Sequence, residues 1–175
     1  MSLHVGQSVV YPYRGPCRID PVIKKTSGGR PRDFYPLVLL DNSGDVIFVP
    51  VNKLGSLGIR QLVKKTEVPE LLQRLRKNIR KAESPRGRTT WRDRATENLN
   101  LMASRSAFDL AVVIGSLTDL NDARKLAPRD REVLEKARKH LICEISEVTG
   151  ETKNAAEERI DGALNRLNRG MPAVA

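Results

Sequence analysis

The chain has 175 residues, 39% of them hydrophobic and 30% charged, which fits two small domains or one domain with a helical extension. Lysine and arginine number 31 against 21 aspartate and glutamate, and the net charge of +10 argues against a cation sensor and favours a polyanionic partner. No apolar run is long enough to span a bilayer and no charged-then-apolar leader opens the chain, so we expect neither membrane insertion nor secretion.

The first 63 residues have the pattern of short β-strands joined by tight turns. Apolar runs at 5–11, 17–25, 34–40 and 46–49 are separated by clusters rich in glycine, proline and asparagine. Residues 59–63 form a last short strand or turn. Strands of this length, joined in this way, predict a small and strongly bent barrel.

From residue 67 the apolar period changes from two to about 3.6, which predicts helices. Pro69 and Pro128 suit the first turns of two helices, Ser106 is expected to cap another, and Gly150 is expected to end one. About five helices are predicted in all, and they form an all-helical bundle.

The sequence therefore predicts an α+β chain with a β-barrel before a helical bundle. The expected boundaries are 1–63 for the barrel, 64–68 for a linker, 69–170 for the bundle and 171–175 for a tail.

Positive charge is concentrated in the middle quarter of the chain. Residues 64–105 contain 12 lysines and arginines against 5 acidic residues, whereas residues 106–175 contain 11 against 12. Such a strip is either a solvated helix face or a surface for phosphates.

Trp91 is the one tryptophan of the chain, and it lies within this basic segment. Arg86 and Arg88 precede it, while Arg92 and Arg94 follow it. A first-turn aromatic among arginines can act as an apolar wedge, with the arginines on phosphates and the indole at an unstacked base step.

The other interpretation of Trp91 is structural. Ala95, Leu99 and Met102 share one helical face with it, so the indole can pack on the bundle. Spacing alone favours this second interpretation.

The strand Val46-Ile47-Phe48-Val49, which Pro50 closes, is apolar on both faces, although each strand of a small barrel is expected to turn one face to solvent. The strand is therefore either fully buried or an edge strand that accepts a strand from another protein, with Phe48 at the contact.

Residues that carry catalysis are scarce. His4 and His140 are the only histidines, and neither a zinc-binding cluster nor a nucleotide-binding motif is present. Cys17 and Cys143 stand alone and are expected to be free buried thiols in a reducing compartment. We expect no cofactor, no metal and no small-molecule substrate, and an enzyme is the weaker class.

The chain resembles the CarD/CdnL family of bacterial RNA polymerase-binding regulators over almost its whole length. The residues that carry the resemblance are Val5–Pro12, Gly15, Val49–Val51, Gly58–Arg60, Trp91–Arg94, Asn98-Leu99, Leu126–Pro128, Ala137-Arg138 and Leu141–Glu147.

The resemblance implies a Tudor-like barrel, shared with transcription-repair coupling factors, that binds the first lobe of the polymerase β subunit by strand addition. The basic contact of the family falls on Lys25, and a second, often basic, falls on Phe48, where this chain departs from the pattern. Ile47, Val49 and Pro50 complete the predicted contact strand.

The resemblance also implies that the helical domain lies on promoter DNA at the upstream edge of the transcription bubble. The tryptophan wedge of the family falls on Trp91, and its basic neighbours fall on Arg92 and Arg94. The resemblance also implies a cytoplasmic, nucleoid-associated location. The leading hypothesis is a non-enzymatic transcription factor tethered to polymerase. A free-standing architectural nucleic-acid-binding protein is the alternative.

Overall fold

The computed structural model describes residues 4–79, 91–104 and 106–165. The chain divides into two compact units, Met1–Leu62 and Val63–Ala175. The first is an antiparallel sheet and the second is helical. The predicted α+β class is therefore confirmed.

The N-terminal unit is one antiparallel sheet in which β4 pairs on both of its sides. The path through the sheet is β3-β4-β2-β1-β6, and β5 pairs with the other side of β4. Its strands are β1 (Ser8–Tyr11), β2 (Gly15–Ile19), β3 (Ile23–Ser27), β4 (Arg30–Leu39), β5 (Val46–Pro50) and β6 (Arg60–Gln61).

The run predicted as one strand over residues 17–25 is two strands in the structure. Ile19 pairs with Leu37 and Ile23 pairs with Phe34. The chain thus advances four residues from β2 to β3 while β4 advances three, which is the extra residue of a β-bulge. Pro36 of β4 lies at this break and its carbonyl accepts a hydrogen bond of 2.9 Å from the backbone of Asp20. Because proline has no N–H, it is tolerated in a central strand where pairing is interrupted.

Alternation along β4 and β5 directs odd-numbered side chains into the core. Leu37 and Val49 are almost completely buried. A small core inside short, bent strands fits the expected Tudor-like barrel. The buried residues of this core are Val9, Cys17, Ile19, Leu37, Leu39, Val49, Leu54 and Ile59.

The described residues of the C-terminal unit form five α-helices, and their caps follow from the sequence. Ser106 accepts a hydrogen bond from the backbone of Phe108, Pro128 begins the fourth helix, and Gly150 ends it in the left-handed conformation with φ of 77°. The helices are α1 (Val68–Ile79), α2 (Trp91–Met102), α3 (Ala107–Ala123), α4 (Pro128–Thr149) and α5 (Lys153–Asn165).

The core of the helical unit begins before its first helix. Val63 and Val68 are both buried in it, and residues 65–67 between them form a short 3-10 turn. The segment 64–68, for which the sequence predicts a linker, thus includes this turn and the first residue of α1. Helix α1 packs against α3 and α5, and α3 packs against α4.

Candidate functional site

The free edge of β5 is the first candidate site. Within the described residues β5 pairs with β4 alone. The Leu39 N–H donates to the carbonyl of Asp45, so odd-numbered residues of β5 bond to β4. The N–H and C=O groups of Val46 and Phe48 consequently point away from the sheet, as a template for another strand.

The side chains of β5 divide between the core and the exposed face. Val49 is buried and Ile47 is half-buried in the barrel core, whereas Val46 and Phe48 are 39% and 41% exposed. An edge strand with an outward-facing Phe48 is thus what the structure contains, not a fully buried strand. The backbones of Ile47 and Val49 bond to β4, so these two residues support a partner strand only by holding β5 in place.

Lys25 and Phe48, which are far apart in sequence, meet on this unit. The Lys25 ammonium lies 3.1 Å from the centroid of the Phe48 ring, within the range of a cation–π interaction. Lys25 pairs with Arg32 and Phe48 pairs with Pro36, so the contact crosses β4 diagonally on one face of the sheet. Sequence reasoning selected both residues but not their contact, because it depends on the register of three strands.

The β3–β4 hairpin beside this contact is strongly basic. Lys24, Lys25, Arg30 and Arg32 are all exposed, and Asp33 is the one acidic residue between positions 23 and 34. A surface of this charge favours an acidic partner.

The second candidate site is the start of α2. The helix begins at Trp91, as predicted, but the side chains of Trp91, Arg92 and Arg94 lie outside the described part of the chain, as do Arg86 and Arg88 entirely.

Further along α2, part of the predicted packing face is buried. Met102 is buried, Ala95 and Leu99 are half-buried, and the helix packs against α3 and α4. Asn98 is also buried, and its amide nitrogen has no hydrogen-bond partner within the described residues. The orientation of the Trp91 indole stays a prediction.

The basic strip is described in part. Lys64, Lys65 and Arg74 are exposed on the helical unit, and the Lys65 ammonium also lies 3.4 Å from the carbonyl of Thr149, near the end of α4.

A basic groove at the start of α4 was missed by the sequence analysis. Its lining includes Arg124, Lys125 and Arg131, together with Asp130 and the helix-opening Pro128. No side chain caps this helix start, so its first N–H groups are open to an acceptor. The Arg-Lys pair before a proline-opened helix was the available signal, but the even charge balance of residues 106–175 hid it.

The described residues contain no group of three or more metal-ligating side chains. His140 is buried in α4, and it lines neither the groove at α4 nor a second groove formed by Arg32, Asp33, Pro50, Val51 and Asn52. None of the described helices combines the length and the apolar character needed to cross a membrane.

Comparison with protein families gives two matches, which divide the chain as its two units do. Residues 3–63 match the CarD-like/TRCF RID domain. Residues 70–161, more than half of the chain, match the CarD C-terminal domain. The chain therefore belongs to the CarD/CdnL family of transcription regulators, which interact with RNA polymerase.

Proposed function

We propose that this protein is a non-enzymatic regulator that binds the first lobe of the RNA polymerase β subunit and stabilises the open promoter complex. It acts in the bacterial cytoplasm, at the nucleoid, and needs no cofactor. The observation that carries the proposal is the free, outward-facing edge of β5 in a domain of the polymerase-interacting family.

Docking proceeds by strand addition to β5. A strand of the β subunit would bond to the backbone of Val46 and Phe48, because these groups point away from β4. Ile47, Val49 and Pro50 support this strand, since the first two anchor it in the core and Pro50 ends the ladder. Lys25 supplies a cation that lies against the Phe48 ring.

DNA contact is made by the start of α2. A helix N-terminus presents free backbone N–H groups, and Arg92 and Arg94 add charge within the first turn. Arg86 and Arg88, just before the helix, extend the basic surface along the phosphates. Trp91 is the wedge that inserts where the minor groove at the upstream edge of the bubble is partly unstacked.

The mechanism is a population shift. A protein that binds the open complex more tightly than the closed one raises the open population by the ratio of the two affinities. Phosphate contacts serve both states, so the discrimination comes from Trp91. A differential binding energy of about 1.4 kcal/mol shifts the equilibrium tenfold.

Two substitutions test the two halves separately. Trp91→Ala should leave capture of core polymerase unchanged and shorten the lifetime of open complexes measured after a competitor challenge. Lys25→Glu should weaken capture by the isolated β lobe and leave α2 intact. An open-complex lifetime unaffected by Trp91→Ala would contradict the wedge, and full capture by Lys25→Glu would contradict the docking surface.

The basic groove at α4 favours a second candidate function, a free-standing architectural nucleic-acid-binding protein. Such a protein would bind bare duplex tightly and with steep salt dependence in the absence of polymerase. The polymerase-tethered regulator is expected to bind bare duplex weakly, so a fluorescence titration at two salt concentrations separates the two.

A further inference from the structure

We infer that Phe48 is a positioning residue for Lys25, and that the polymerase strand received by β5 carries a carboxylate on the face to which Phe48 points. This inference rests on the proposed docking function and deepens it. It names how one cation is held at the edge of β5 and which partner chemistry the surface fits.

The first observation is the contact itself. The Lys25 ammonium lies 3.1 Å from the centre of the Phe48 ring, and both residues are exposed. A lysine side chain on a surface hairpin ordinarily samples many rotamers and loses that freedom when it binds. The ring removes part of that cost in advance, because the ammonium is already held against its face.

The second observation is where the ring lies. Phe48 belongs to β5, and its own N–H and C=O groups face outward on the free edge. A strand added there places one residue directly opposite Phe48, on the same face and with its Cβ about 5 Å from that of Phe48. A side chain at that position runs alongside the ring that carries the ammonium.

The third observation is charge. Arg30 and Arg32 are exposed on the same hairpin as Lys25, and because Lys25 pairs with Arg32 and strand side chains alternate, these three cations share one face. An incoming basic or neutral side chain would gain nothing from this environment, whereas an aspartate or glutamate would be attracted by it. The partner strand is therefore acidic at the position opposite Phe48.

A double-mutant cycle on the full chain tests the inference, with affinity for core polymerase as the readout. Phe48→Leu keeps an apolar side chain but removes the ring, and we expect it to weaken binding about two- to fivefold. In a Lys25→Met background the same substitution should have no effect, because there is no ammonium left to position. Phe48→Tyr should retain wild-type affinity.

Val46→Ala is the matched control, because Val46 lies on the same strand and face with similar exposure. Its effect should be equal in the Lys25 and Lys25→Met backgrounds. Thermal melts of every variant verify folding, which exposed positions should not disturb. Equal effects of Phe48→Leu in both backgrounds would overturn the inference while leaving the docking function standing, whereas a wild-type chain that does not bind polymerase would remove the docking function itself.

Discussion

The backbone N–H of Val63 donates a hydrogen bond of 2.8 Å to a carboxylate oxygen of Glu144, a side chain with no exposed surface. Val63 is the first residue of the helical unit, and Glu144 lies in the second half of α4. The carboxylate thus joins the start of the unit to its longest helix through an interaction buried from water.

Glu144→Ala should destabilise the helical unit by about 2 kcal/mol or more, because it leaves a buried N–H group without an acceptor. Glu144→Gln keeps a carbonyl oxygen at the same position and should cost less. Urea denaturation followed by circular dichroism at 222 nm measures both. Glu135→Ala, an exposed glutamate on the same helix, is the control, and an equal loss in the control would contradict a special role for Glu144.

Asp119 should make the protein less stable as the pH rises through about 6. Burial and the nearby charge of Asp122 raise the pKa of Asp119 from 3.8 to about 6, so the folded chain holds this proton more tightly than the unfolded chain. The stabilising contribution is therefore complete below about pH 4 and is lost as the pH passes the folded value.

The substitution Asp119→Asn should consequently raise the melting temperature by about 1–3 °C at pH 7.5 and leave it unchanged near pH 3.5. Differential scanning calorimetry at both pH values measures the difference. Asp122→Asn should reproduce only part of the gain, because it removes the repulsion but not the burial. A gain of the same size at both pH values would show that the charge of Asp119 is not its origin.

Both cysteines should be unreactive in the native protein. Both are buried and neither is in a disulfide, as the sequence predicts, and burial raises the pKa of the Cys17 thiol to about 12. Because the thiolate is the reactive species, a disulfide reagent at pH 8 should label neither residue before unfolding and both in guanidinium. Rapid labelling of the native chain would contradict the burial.

Trp91 allows a direct measurement of its own surroundings, since it is the single tryptophan of the chain. A wedge available to DNA should emit at long wavelength in the free protein and be quenched efficiently by acrylamide. Addition of polymerase and promoter DNA should reduce that quenching as the base step covers the indole. Quencher-resistant, short-wavelength emission from the free protein would support packing on the bundle instead.

Helix boundaries were the most predictable part of this fold, because the signals that fix them are local. Ser106, Pro128 and Gly150 act through their own backbone and the adjacent turn, and the structure confirms all three. The α+β class also follows from the change in apolar period near residue 67.

The details of the barrel were less predictable, because they depend on partners distant in sequence. The register change between Ile19 and Ile23 is set by their partners on β4, although Pro21 inside the run is a local signal that the strand is interrupted. Phe48 likewise depends on distant pairing, because its side chain lies on the outer face of the sheet and β5 has no second neighbouring strand among the described residues. An apolar residue on an edge and one in a core look alike in sequence.

The shortness of the β5 edge has a consequence for self-association. Only Val46 and Phe48 offer both a donor and an acceptor outward, and Pro50 has no N–H with which to continue. A long exposed edge allows copies of a chain to pair strand by strand into aggregates, whereas this edge has enough outward N–H and C=O groups to pair with only one short strand. The β5 edge can therefore accept one short strand without acting as a template for a continuous ladder between copies of the chain.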